Sequence, residues 1–362
     1  MKILIYNWRD IKNPTAGGAE VFTHENAKRW VEKGNDVTLF TSAFPGCMKE
    51  EVVDGVKVVR DGGKYSVYWK ARIYYKKYFK GNFDVVIDEI NTRPFFAPEF
   101  VNNGEKVVAL IHQLAREFWF YETKFPINYI GYHFLENKWL KNFRDIPTIT
   151  VSESTKEDLM ALGFERVSIV PEGINFKPLE IFPVKEKYPT FIFVGRLKKA
   201  KRPDHAIAAF KIIKESLPDA RLWIVGDGYY RKELEKMSGG GVEIFGNVPM
   251  KRKLELMSKA HAILVPGVRE GWGLVVTEAN AMGTPAIGYN IHGLRDSIRD
   301  GSTGLLCQPN PEALAERGLE LMRNKEMLER LSRNALAWAG EFDWDRSAGV
   351  ILGILRGITD AG

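Results

Sequence analysis

Cysteine is nearly absent: the chain holds two, Cys47 and Cys307, far apart in its 362 residues. A disulfide framework is therefore not expected, and a reducing compartment is. No apolar run approaches the roughly 18 residues of a membrane-spanning helix. Residues 1–6 are too short and too soon polar for a signal peptide. No stretch matches G-x-G-x-x-G cleanly, which weighs against a dinucleotide dehydrogenase. The six histidines, His24, His112, His133, His205, His261 and His292, show no metal-ligand spacing. Low-complexity tails are missing too. These absences lead to the expectation of a cytoplasmic protein, soluble or peripheral on the membrane face.

The length suits two domains, each with its own core. A net charge of +6 is modest, so its distribution matters more than its sum. Short apolar strands are expected at 2–6, 36–40, 56–60, 84–88, 107–111 and 148–151, then at 190–194, 221–225, 242–245 and 262–265. Helical stretches alternate with them, as a parallel sheet with helical crossovers requires. Residues 176–189, with three prolines and mixed charge, read as a linker between two α/β domains.

The chain is organised around residues 266–285. The buried strand at 262–265 delivers Glu270 to a loop at its carboxyl end, where ligands bind in open α/β sheets. A helix is expected from Gly273 or Leu274 to Gly283, where glycine and then proline stop it. Glu278 lies about one turn inside that helix. Two such carboxylates suit hydrogen bonds from neutral hydroxyls, while the free amides of the helix start suit a phosphate. Acidic residues at a helix start also simply complement its dipole.

Three other places carry chemistry. The strand at 190–194 leads into a basic loop with Arg196, Lys198, Lys199, Lys201 and Arg202. The first strand leads to Gly17 and Gly18 at a helix entrance, where backbone can approach an anion or merely turn. His112 follows the strand at 107–111 and can donate one hydrogen bond and accept another, or be satisfied locally.

Glu270-x7-Glu278, followed by Ala279-x-Ala281-Met282-Gly283-x-Pro285, resembles the donor motif of the retaining glycosyltransferases of family 4. Those are GT-B enzymes: two Rossmann-like parallel-sheet domains facing an interdomain cleft. The resemblance is densest over 195–304 and loosest over 45–142. It implies domains at 1–175 (acceptor side) and 176–342 (donor side), with a helix over 343–362 crossing back to the first. Glu270 is then expected to contact sugar hydroxyls, and Glu278 the ribose. Arg196 and Lys201 of G-R-L-x-x-x-K would bind the diphosphate; the chemistry agrees, because cations stabilise charge developing on the leaving nucleotide. Lys198, Lys199 and Arg202 are expected to be solvated. Gly17 and Gly18 would lie against the donor phosphates, Val248 near the base, and Gly271, Trp272, Gly273 and Leu274 around the donor, with Trp272 narrowing the sugar pocket. His112 would approach the reacting sugar.

The donor implied is a nucleotide diphosphate sugar, with no cofactor and no metal. Asp88 and Glu89, which could be read as a metal pair, are assigned none, since such enzymes hold diphosphate with cations and helix ends. An epimerase or hydrolase on the same fold, or a non-catalytic nucleotide-sugar binding module, remain alternatives.

Segment 64–80 has six basic residues, no acidic ones and many aromatics; 117–139 is almost as aromatic. Basic residues among rings suit an anionic membrane surface and hence a glycolipid or lipid-linked acceptor. A helix packing its rings on the sheet would share the composition. No nucleic-acid module accompanies it, so no nucleic-acid partner is expected.

Overall fold

The computed structural model describes residues 1–101 and 104–360, so the last two residues of the expected closing segment lie outside the described ones. The chain divides into two compact units. The first comprises Met1–Arg116, Phe125–Gly173 and the chain from Asp343; the second comprises Glu117–Lys124 and Ile174–Phe342.

The first unit is an eight-stranded sheet of β1 (Lys2–Tyr6), β2 (Asp36–Thr41), β3 (Glu50–Val53), β4 (Val56–Arg60), β5 (Val85–Glu89), β6 (Lys106–Leu110), β7 (Thr148–Thr150) and β8 (Val167–Ile169). Their order is β3-β4-β2-β1-β5-β6-β7-β8. Every pairing is parallel except the β3–β4 hairpin. The chain winds outward from β1 in both directions, so the loops after β1 and β5 flank the point where the order reverses. That point is where open sheets bind ligands. Register sets Glu89 beside Leu110, two residues before His112.

One face of this sheet packs Leu4, Tyr6, Phe40 and Val86 against Val67, Ala71, Tyr75 and Phe79. The four-residue spacing of that second set follows the helix Val67–Tyr74 and the π turn Tyr75–Phe79. Each large side chain buried this way contributes about 1.5–3 kcal/mol. The final helix, Trp344–Asp360, belongs to this unit. Trp344 is buried edge-on to Phe22, with ring centres 5.7 Å apart.

The second unit is a six-stranded parallel sheet: β9 (Thr190–Val194), β10 (Arg221–Val225), β11 (Val242–Gly246), β12 (Ala262–Val265), β13 (Ala286–Tyr289) and β14 (Gly304–Cys307). The order β11-β10-β9-β12-β13-β14 puts the reversal between β9 and β12. Side chains alternate along β9: Phe191 and Phe193 join the core on one face, Ile192 that on the other. Both faces are thus buried, which is why these strands read as continuous apolar runs.

Candidate functional site

In the second unit the loops after β9 and β12 lie side by side. Val268 N–H donates to Ala200 O at 3.0 Å, tying them together. The turn after β10 closes on the first loop: Leu197 N–H donates to Asp227 O at 2.9 Å. A Cβ on Gly226 would stand 2.0 Å from Gly195 O, so only glycine permits that approach. From this frame Arg196 projects exposed at the end of β9. Lys201 turns inward, and its ammonium donates to both oxygens of Glu270.

Glu270 is nearly buried. Its carboxylate lies over Gly267, where a Cβ would be 2.9 Å from Oε1. Its N–H donates to His292 O at 3.1 Å. Gly293, at φ +82°, passes so close that a Cβ would meet Glu270 O at 2.1 Å. Gly271 and Trp272 form a bend, Gly273 takes φ +95°, and the helix runs over Leu274–Ala281, within two residues of its expected end. The first amides of such a helix lack intrahelical acceptors and point outward from its start. Glu278, one turn in, accepts from Lys253 at 2.7 Å.

The contacts of Trp272 are defined, and the expectation for Lys198 changes. The Trp272 indole donates to Thr277 Oγ1 at 2.9 Å, and its ring lies 5.3 Å from that of Phe342, so the side chain braces the helix start. Lys198 is not simply solvated: its ammonium sits 4.7 Å from the Phe118 ring centre. Burial, with Lys201 and Arg196 close by, pushes its pKa down to about 8. Phe118 belongs to the short helix Phe118–Glu122, which packs on the basic loop. Glu122 accepts from Ala200 N–H at 3.2 Å, Tyr121 from Arg202 at 3.2 Å, and Glu117 from Arg269 at 3.1 Å. Residues 117–124 are thus engaged with the loop, while Phe120 stays exposed. Val248, just past β11, is half-buried against the core.

In the first unit, Gly17 opens the helix Gly18–Glu32. Its N–H donates to Glu20 at 2.6 Å, and Arg9 Nε donates to the other oxygen of Glu20 at 2.9 Å. The far end of the same loop is fixed by fully buried Arg60, which grips both oxygens of Asp10 at 2.7 and 3.0 Å. Asp88 and Glu89 point to opposite faces of β5. Asp88 accepts from the N–H groups of Phe95 and Ala97, at 3.0 and 2.9 Å; burial still lifts its pKa to about 7. Glu89 instead meets Thr23 and His112, so the two carboxylates do not converge as a pair of metal ligands.

His112 Nε2 lies 3.4 Å from Glu89 Oε1, and its ring stands edge-on to Phe22 at 4.9 Å. Burial opposes an imidazolium there, yet Glu89, with Glu172 and Glu20, raises the His112 pKa overall. Burial raises that of Glu89 and pushes Glu172 up to about 7. Glu172 Oε2 is buried with no hydrogen-bond partner. The other histidines engage neighbours: His24 meets Asp54, His205 Tyr289, His261 Thr190, His292 Arg295 and His133 Tyr129. Among the described residues no group of three or more His, Cys, Asp or Glu could hold a metal ion.

Sequence reasoning missed Lys253, Lys198, Glu89 as the partner of His112, and Glu172. Lys253 stands in a run with Lys251 and Arg252, and nothing in that run singles it out.

Two family models match consecutive parts of the chain: glycosyltransferase family 4 over residues 16–177 and glycosyl transferases group 1 over 178–338. The chain belongs to these GT-B glycosyltransferases. Among curated relatives, an uncharacterized glycosyltransferase of Methanocaldococcus jannaschii is 30% identical over 203 residues, covering 55% of this chain and 56% of that protein. A phosphatidyl-myo-inositol mannosyltransferase of Mycobacterium leprae is 29% identical over 228 residues, covering 60% of each. The chain thus spans little more than half the length of these relatives. Sucrose-phosphate synthase of Thermosynechococcus elongatus shares the fold of this glycosyltransferase at TM-score 0.80, with 18% identity and full coverage of both chains. HepE of Anabaena, solved with UDP and glucose, shares it at TM-score 0.72 and 16% identity, covering 99% of this chain and 100% of its own. In this glycosyltransferase, then, the reversal point between β9 and β12 carries the Lys201–Glu270 pair.

Proposed function

We propose that this glycosyltransferase moves a sugar from a nucleotide diphosphate sugar to an acceptor hydroxyl with retention of configuration and without a metal ion. The observation that carries the reading is the pairing of Lys201 with Glu270 on the loop that also presents Arg196. An ammonium has three donors. Glu270 takes two, which leaves one for a phosphate oxygen while Glu270 accepts from sugar hydroxyls with its remaining lone pairs. Arg196 and the helix start near Leu274 receive the rest of the diphosphate. Glu278, steadied by Lys253, accepts from the ribose. Breaking the sugar–phosphate bond loads charge onto the leaving group, and fixed cations favour that state. The acceptor attacks on the face from which the phosphate departs, and the phosphate takes its proton. Gly17 and Gly18 approach the donor phosphates, and His112 the reacting sugar.

The acceptor in this reading is a glycolipid or lipid-linked sugar at an anionic membrane face. On the helix Val67–Tyr74 the side turned from the core carries Trp69 and Ile73, exposed at 64% and 41%, and Tyr65, in the turn before it, is exposed at 76%. Lys64, Arg72, Lys76, Lys77 and Lys80 are exposed around them. Phe125, Ile127, Ile130 and Phe134 are exposed in the second segment. The two segments adjoin: Arg93 lies 4.8 Å from the Tyr68 ring and 6.0 Å from that of Trp139. Rings at headgroup depth with flanking lysines fit an anionic bilayer. No helix among the described residues is long and apolar enough to cross a membrane.

The test is a panel of nucleotide diphosphate sugars with and without glycolipid acceptors, in chelator, read by nucleoside diphosphate release and by NMR of the product's anomeric centre. The expected outcome is acceptor-dependent release, a retained anomer and no effect of chelator. Donor turnover without acceptor would instead indicate a hydrolase or epimerase, and donor saturation without release a binding module.

A further inference from the structure

At the carboxyl ends of β5 and β6 Glu89 and His112 meet out of reach of water, and Glu172 is buried in the same unit. Glu89 is 1% exposed, Glu172 4% and His112 9%. They come from β5, from the residue after Ile111 and from the turn after β8, three segments distant in sequence. Thr23 donates to one oxygen of Glu89; the other lies 3.4 Å from His112 Nε2, an ion-pair approach in which neither atom has a hydrogen-bond partner. Phe22 holds the ring from the side. Glu172 is buried, its Oε2 has no hydrogen-bond partner, and its charge raises the His112 pKa. The turn that carries it cannot relax outward, because Gly173 lies against Trp344 so closely that a Cβ would be 2.5 Å from Cδ2.

The charges around the ring are these. Glu20 of the helix Gly18–Glu32 is compensated by Arg9. Glu89 and Glu172 have His112 as their cation. One imidazolium balances one carboxylate, and a second buried carboxylate left uncompensated is costly. The cluster is neutral with His112 charged, Glu89 ionised at 3.4 Å from it and the proton kept on Glu172.

We propose that Glu89 is the positioning residue for His112, fixing its ring and holding it protonated, and that Glu172 keeps a proton beside that pair as the reserve that balances it. Glu89 faces one ring nitrogen, so the direction of the other is set by the same contact. A carboxyl that gives up its proton near neutrality makes the cluster responsive to pH, in agreement with the burial-raised affinity of Glu172. The inference rests on the proposed transfer reaction only for its activity readout.

The test therefore begins without substrate. The His112 imidazole, assigned by comparison with His112→Asn, is followed by heteronuclear NMR from pH 5 to 9.5 in the full chain. In the wild type its midpoint should lie above that of an exposed histidine. Glu89→Gln should lower the midpoint by at least one unit, a tenfold loss of proton affinity, and Glu89→Asp by less. Glu172→Gln should leave His112 protonated to higher pH than Glu89→Gln does. If Glu89→Gln does not fold, Glu89→Asp alone decides, since it must still shift the midpoint downward. A midpoint that ignores both Glu89 variants, or a His112 that stays neutral throughout, overturns the proposal. Under saturating donor, Glu89→Gln should cut kcat at least tenfold with donor KM within about twofold, and Glu89→Asp should restore part of it. A KM effect alone would refute the positioning role. Absence of transfer by the wild type would count against the transferase reading, while the NMR titration would still decide the roles of Glu89 and Glu172.

Discussion

The two units have the same plan, a parallel sheet wound in both directions from its first strand, yet they treat carboxylates in opposite ways. In the second unit each glutamate of the motif has a lysine: Glu270 with Lys201 and Glu278 with Lys253. In the first, Glu89 approaches an imidazole, Glu172 is buried without a lysine, and burial raises both. Carboxylates balanced by cations can exchange those contacts for phosphate and hydroxyl groups. Carboxyls balanced by protons hold or release protons instead. One fold thus holds carboxylates paired with lysines in one unit and buried carboxyls near an imidazole in the other.

The largest effect should come from the cationic pair. Lys201→Ala or Arg196→Ala should lower turnover ~100-fold or more, as loss of a transition-state charge partner does. Circular dichroism should be unchanged, and near-normal activity in both variants would refute the phosphate role. Next comes the frame beneath Glu270. Gly293→Ala puts a Cβ against Glu270 O at a positive φ, so it should destabilise the protein by about 1–3 kcal/mol. Denaturant titration would measure this, and an unchanged midpoint would show that the loop can yield.

The first unit should respond to pH. A carboxyl whose proton affinity is raised by folding stabilises the native state while protonated. That contribution is complete below the ordinary glutamate value and disappears as pH rises through about 7 for Glu172. Stability should fall between pH 5 and 8 by ~1.4 kcal/mol per unit of pKa difference at most. Glu172→Gln should flatten that slope, leaving the part due to Asp88. A slope unchanged in the variant would contradict the assignment. The smallest effect concerns the lipid face: Lys76→Ser with Lys77→Ser should weaken flotation with anionic vesicles by about 1 kcal/mol per charge. Turnover with a soluble acceptor should not change.

Much of this was legible in the sequence because local rules and the fold agree. The apolar runs at 190–194 and 262–265 became β9 and β12. The Gly273 and Gly283 signals bracket the Leu274–Ala281 helix. The features that escaped depend on distant partners. The β3 hairpin was missed because Glu50–Val53 lacks alternation, though Asp54–Gly55 offered a turn signal. Residues 117–124 read as one aromatic stretch with residues 125–139, and only the distant loop that 117–124 contacts separates the two. Lys198 and Lys199 are chemically identical; Leu197 and Ala200, both buried, decide how the loop seats them. Glu172 sits in a Pro171-Glu172-Gly173 turn that resembles a surface turn, and Trp344, far along the chain, buries it.

The most direct test of the proposed diphosphate site is calorimetric titration of nucleoside diphosphates into the wild type, Arg196→Ala, Lys201→Ala and Lys76→Ser. At least one nucleoside diphosphate should bind the wild type, at least tenfold more weakly when either loop cation is removed and unchanged when Lys76 is. Equal affinity in all four proteins would contradict a cationic grip on the leaving group.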